Sequence, residues 1–161
     1  MEEIKRILVV NRLTQYTRDA LHHGASLAKR FGADLHVLRV ISNPVDMEAV
    51  NAPALPLKGE EYKNYLSLRD QYKEDLEKAI REVVREGVPV KELITDKEPV
   101  GEIVKVVQKE KIDLVVLLAN EEGRLEHMLF GGENDALIRK LPCSILLVKH
   151  EPHPVRWGVS S

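Results

Sequence analysis

Ile112-Asp113-Leu114-Val115-Val116-Leu117-Leu118 is the most apolar stretch of the chain, and its reading decides the fold. The run suits a short strand, and an apolar run without alternation belongs to a sheet covered on both faces. Before it, Pro99 opens a helix in which Val100, Ile103, Val104 and Val107 recur at helical spacing. After it come a polar loop from Ala119 to Glu126, the pair Gly131-Gly132, and a short helix carrying Ala136, Leu137, Ile138 and Leu141. Pro142 ends that helix, and Ile145-Leu146-Leu147-Val148 forms the last strand.

The same alternation extends toward the N-terminus. Ile4 to Val10 reads as a strand, broken by Asn11-Arg12-Leu13-Thr14. Thr14 or Thr17 caps a helix with Leu21, Gly24, Ala25, Ala28 and Phe31 facing inward, and Gly32 stops it. A second strand runs from Leu35 to Ile41, and Asn43 to Gly59, with three prolines, is a long excursion. Glu60 to Glu86 is a helix striped by Tyr65, Leu68, Tyr72, Leu76, Ile80 and Val83, with Glu74–Lys78 and Glu77–Arg81 spaced to pair along it. Val88 to Thr95, carrying Pro89, Lys91 and Glu92, fits an edge strand. Strand and helix alternate five and four times, which implies a doubly wound parallel sheet with helices on both faces. The apolar run 112–118 is then expected at the centre. The reading gives one domain over residues 1–149 and a tail over 150–161, with Trp157 as its anchor.

Composition excludes several functions. The chain has 161 residues, a length that fits one domain. With 24 Lys and Arg against 26 Asp and Glu, the net charge is −2, so no basic stripe points to nucleic acid. No apolar run approaches the ~18 residues of a membrane span, and the start Met1-Glu2-Glu3-Ile4-Lys5-Arg6 does not read as a signal peptide. Cys143 is the single cysteine, so the chain makes no internal disulfide. A cytoplasmic protein is expected.

Chemistry in such a fold belongs at the carboxyl ends of strands where their order reverses, here Asn11 to Thr14 and Ala119 to Gly132. Backbone N–H groups after Gly131-Gly132 can receive a phosphate at a helix start. Neither G-x-G-x-x-G after the first strand nor a Walker A sequence is present. His22, His23 and His36 find no convergent third ligand, so no metal site is expected, and they read as partly exposed structural residues. His127, beside Glu126, reads as a solvent-facing loop residue, and His150 and His153 belong to the tail. Cys143 and Ser144 lack a base and an orienting group, and no catalytic constellation emerges.

Three segments carry a family likeness. Asp113 to Leu117, Leu129-Phe130-Gly131-Gly132, and Leu141-Pro142-Cys143-Ser144-Ile145-Leu146-Leu147-Val148 resemble the end of the universal stress protein (UspA-like) family. Arg6 to Val10, Ala20-Leu21, Gly32 to Leu38, and Glu98 to Val104 look similar to its earlier parts, so the resemblance covers Ile4 to Lys149 in one register. It implies a five-stranded parallel sheet in order 3-2-1-4-5, an adenine-nucleotide-hydrolase-like, flavodoxin-like three-layer sandwich. It implies a homodimer through the last strand, and for one branch bound ATP or AMP. An apolar sheet edge at Ile145, Leu146, Leu147 and Val148 argues for pairing independently. The nucleotide-binding candidates under this resemblance are Asn11, Arg12, Thr14, Ile41, Leu118, Asn120, Gly131, Gly132 and Glu133.

The nucleotide branch carries a glycine, two residues, a glycine, nine residues, then Gly-Ser or Gly-Thr. Counting back from Gly131, the earlier glycines fall at Leu118 and Glu121, and Gly132 replaces the hydroxyl residue. The branch's acidic residue after the first strand falls at Arg12. Leu118 adds bulk, while Glu121, Glu133 and Asp135 add negative charge near a phosphate; Arg12 and Arg124 are available to an anion. The expectation is a homodimeric stress-response binding or regulatory module with a degraded ATP motif. The alternatives are an ATP- or AMP-binding member with little or slow hydrolysis, and an enzyme using Asn11, Asn120 or His127.

Overall fold

The computed structural model describes residues 3–12, 17–40, 60–118 and 133–149. Strand β1 (Arg6–Arg12) is followed by α1 (Thr17–Phe31), β2 (Asp34–Val40), α2 (Glu60–Arg85) and β3 (Val90–Thr95). Then come α3 (Pro99–Glu110), β4 (Leu114–Leu118), α4 (Glu133–Lys140) and β5 (Ser144–Val148). The strands form one parallel sheet in the order β3-β2-β1-β4-β5. The run 112–118 thus supplies an interior strand, and β1 rather than β4 holds the centre. The charged strand β3 is an edge, which fits its charges and the proline, Pro89, just before it.

Alternation along β1 divides the core in two. Ile7 and Val9 face one side, packing with Leu21, Ala28, Leu35, Val37, Leu76, Ala79, Ile80 and Val83 under α1 and α2. Leu8 and Val10 face the other, packing with Leu38, Val40, Ile103, Val107, Val115, Leu117 and Leu137 under α3 and α4. Most of these side chains are almost fully withdrawn from water, each contributing ~1.5–3 kcal/mol of burial. The aliphatic composition is therefore a consequence of a sheet with two dry faces.

Local signals fix the ends of elements. The Glu98 carboxylate accepts the Val100 and Gly101 N–H groups at 3.0 and 2.7 Å, capping α3, and Pro99 occupies its first turn. Gly32 turns the chain after α1 with φ 65°. At the N-terminal edge of the sheet, the Asp113 carboxylate accepts the Lys5 and Arg6 N–H groups at 2.8 and 2.9 Å, clasping the start of β1 to the entry of β4.

Several expectations change. Phe31 is 53% exposed rather than inward, because it closes α1 just before the turn at Gly32, past the end of the core. Glu77 also reaches across to Arg39, at 3.5 Å. His36 is buried rather than partly exposed, since Glu110 at the end of α3 covers it with Nε2 3.3 Å from Oε1. Leu76, Ile80 and Val83 of the α2 stripe are buried as expected. The side chains of Tyr65, Leu68 and Tyr72, the excursion 43–59 and the tail 150–161 lie outside the described residues.

Candidate functional site

The order of the strands locates a crevice. From β1 the chain proceeds to α1 on one face of the sheet, and from β4 to α4 on the other, so β1 and β4 flank the topological switch. The register between β1 and β4 ends at Val9↔Val116. By contrast, β1 stays in register with β2 through Arg12↔Val40, and β4 with β5 through Leu118↔Val148. In a doubly wound sheet a ligand crevice is expected at the carboxyl ends of these two strands, beyond their shared ladder.

Asn11 borders it. The residue continues the Ile7–Val9 face of β1, toward α1, and is only 2% exposed. Neither its Nδ2 nor its Oδ1 has a hydrogen-bond partner among the described residues. A buried amide left this way costs ~1–3 kcal/mol per unsatisfied group unless a water or a ligand meets it.

Arg39 stands beside it. Arg39 of β2 is the register partner of Asn11 and shares its face. It is 6% exposed, with Nη1 3.4 Å from Glu92 of β3 and Nη2 3.5 Å from Glu77 of α2. Its Nε is buried and unpartnered among the described residues. Sequence reasoning did not single out Arg39; the available signal was a lone arginine inside the apolar strand Leu35 to Val40.

The other candidates are placed as follows. Arg12 ends β1, and Glu133 opens α4, whose Leu137 packs on the face opposite Asn11. Leu118 ends β4 half-buried, its side chain against the α1-face core. Thr14, Ile41, Asn120, Gly131 and Gly132, together with His127, lie outside the described residues. Ile145 and Leu146 of the edge strand β5 are half-buried, Leu147 is 44% exposed and Val148 is buried. Cys143 is half-buried, and desolvation, aided by the Asp113 charge, raises its thiol pKa, which favours the protonated thiol. No metal-binding cluster of His, Cys, Asp or Glu occurs among the described residues, and no helix there is long and apolar enough to cross a membrane.

Comparison with known proteins agrees with this architecture. A family model described as the universal stress protein family matches residues 3–149. This chain belongs to the universal stress protein family. One relative, a universal stress protein of Methanocaldococcus jannaschii, is 25% identical over 145 residues, covering 90% of this chain and 82% of the relative. Among solved structures, a protein of the same archaeon whose biochemical function was assigned from its structure superposes with a TM-score of 0.67 at 22% identity, covering 94% of this chain and all of the other. A universal stress protein in complex with cAMP gives a TM-score of 0.59 at 15% identity, over 91% of this chain and 98% of that one. One from Archaeoglobus fulgidus in complex with dAMP gives 0.54 at 20% identity, over 92% of this chain and all of that one. The fold is the five-stranded, adenine-nucleotide-hydrolase-like sheet of the family, in order 3-2-1-4-5.

Proposed function

We propose that this universal stress protein is a cytoplasmic, homodimeric stress-response module whose crevice binds a nucleotide with a short phosphate end, of the AMP type, and regulates rather than catalyses. The observation that carries the reading is the buried amide of Asn11, unpartnered among the described residues, at the switch between β1 and β4. A ligand lying across the crevice would meet Asn11 on the α1 side and the start of α4 on the other, where helix N–H groups favour a phosphate. Relatives of the same fold are seen with cAMP and with dAMP, both monophosphates.

Glycine is lacking at Leu118 and Glu121, where a triphosphate-binding relative would let the backbone approach its ligand closely. A single phosphate needs less of that cradle than three do. The Glu133 and Asp135 carboxylates also oppose a highly charged ligand. Pairing of two copies through β5 is supported by the half-buried Ile145 and Leu146 and the exposed Leu147 on an open sheet edge.

The experiment is release of ligand from the purified protein by heat or acid, with ultraviolet detection, followed by calorimetric titration with AMP and ATP. An adenine signal, or AMP binding tighter than ATP, is expected. Absence of both a released nucleotide and millimolar AMP binding would sink the reading.

A further inference from the structure

The nucleotide reading concerns the carboxyl ends of the strands. A cavity of about 290 Å³ opens at the other end of the sheet, between the second half of α1 and the last turns of α2. We propose that this cavity binds a small zwitterion, an α-amino acid with an apolar side chain. Its carboxylate meets the α1 wall and its ammonium the α2 wall. The inference is independent of nucleotide binding.

The cavity follows from the sequences of the two helices. On α1, His22, Ala25, Ser26 and Lys29 recur at the spacing of one helix face and line one wall. Ala79, Glu82, Val83 and Glu86 repeat that spacing along the end of α2 and line the other. One turn earlier the same faces carry Leu21 and Leu76, both buried in the core. Ala25 and Ala79 are too small to fill the corresponding space. Buried Ala79, Val83 and Val88 make the floor apolar, which suits an aliphatic side chain. The volume lies at the small end of the ~300–1,000 Å³ range of small-molecule sites, so it matches a molecule of amino-acid size rather than a nucleotide.

The two walls carry opposite signs. Lys29 stands on the α1 wall, with the hydrogen-bonding His22 and Ser26 on the same face, while Glu82 and Glu86 stand on the α2 wall. Arg18, outside the cavity, lies 3.9 Å from Glu82, which leaves Glu86 as the uncommitted carboxylate. Neither Lys29 nor Glu86 has an ion-pair partner among the described residues, and both are exposed. Each helix feeds a strand of the same parallel sheet, so both helix carboxyl ends lie at this edge, and their partial negative charge adds attraction for an ammonium. A simple anion would face Glu86 and a simple cation would face Lys29. A molecule bearing both charges is complementary to both walls.

The test is an amide-resolved NMR titration of the full-length chain with three probes: L-leucine, isocaproate, which lacks the ammonium, and isoamylamine, which lacks the carboxylate. Leucine is expected to bind ~threefold or more tighter than either analogue, a margin set by the exposure of the charged groups. Its shifts should centre on His22 to Lys29 and Ala79 to Glu86 and spare Asn11 and Arg39. Lys29→Met should bring leucine and isoamylamine within about twofold of each other, and Glu86→Gln should do so for leucine and isocaproate. An unchanged circular dichroism spectrum checks that both variants fold. Equal affinities for the three probes would overturn the proposal. So would charge variants that leave the affinity ratios unaltered, leucine shifts centred on the carboxyl ends of β1 and β2, or no saturable shift at millimolar leucine.

Discussion

Gly24 of α1 lies against Val9 of β1 so closely that a Cβ on Gly24 would fall on the Val9 Cγ2 methyl. Val9 is fully buried in the central strand and has a stiff, β-branched side chain. The helix can sit this low on the sheet only because residue 24 has no side chain. The contact lies one turn of the pleat below Asn11, so it also sets the height of α1 over the crevice.

Gly24→Ala should therefore destabilise the protein despite alanine's better helix propensity. Overpacking costs ~1–3 kcal/mol, against a propensity gain of at most ~1 kcal/mol. A urea melt should show a net loss of up to ~2 kcal/mol. Adding Val9→Ala opens the space, so the double variant should be less damaged than the two single losses combined. Strict additivity would mean that the contact is not the cause.

This contact illustrates how far the sequence could be read. Small residues at Gly24, Ala25 and Ala28 signalled a close helix, and the apolar runs of β4 and β5 signalled buried strands without further help. Asn11 and Arg12 read as a break, yet both belong to β1, because β2 supplies backbone partners at Arg39 and Val40 regardless of side-chain polarity. In the sequence, only its position at the end of the first strand points Asn11 to the site. That its amide has no partner among the described residues depends on every side chain packed around it, which no linear pattern encodes. The role of Arg39 is hidden in the sequence for the same reason: its carboxylate partners come from α2 and β3, elements brought together only by folding.

The Lys91–Glu110–His36 cluster gives a pH-dependent contribution with a definite sign. Hydrogen bonding from Lys91, 3.0 Å away, lowers the Glu110 pKa first, and the charges of Lys91 and His36 lower it further against an opposing desolvation. A carboxyl whose native pKa lies below its unfolded value stabilises the fold above the ordinary glutamate range, ~4.3. That contribution is lost as pH falls through the native value. Lys91→Met should then lower the urea midpoint at pH 7, and the gap from the unaltered chain should narrow as pH is taken down to 3. A gap that widens toward acid would contradict the assignment.

On the opposite edge, Leu147 of β5 is 44% exposed and suits a substitution that spares the core. Leu147→Lys places a charge on a strand that would pair with its copy, a common natural block to edge pairing. Light scattering should fall from twice the chain mass to 18.3 kDa, with an unchanged circular dichroism spectrum. An intact dimer in this variant would move the proposed interface away from β5.

Asp113 separates stability from ligand binding. Its carboxylate accepts two backbone N–H groups, from Lys5 and Arg6, and the Asp113 N–H donates to the Arg6 carbonyl at 2.9 Å. This clasp sits at the N-terminal edge of the sheet, while Asn11 and Arg39 sit near the carboxyl ends of their strands. Hydrogen bonds to a charged acceptor contribute ~1.5–3 kcal/mol, reduced here by partial exposure. Asp113→Ala should cost ~1–3 kcal/mol in a urea melt, because two backbone donors lose their acceptor and water replaces it only in part. Nucleotide affinity, measured well below the melting range, should stay within about twofold of the unaltered chain, since the sites lie at opposite ends of β1 and share no partner. A large affinity loss with little loss of stability would instead place the clasp in communication with the crevice, and the two ends of the sheet would no longer be independent.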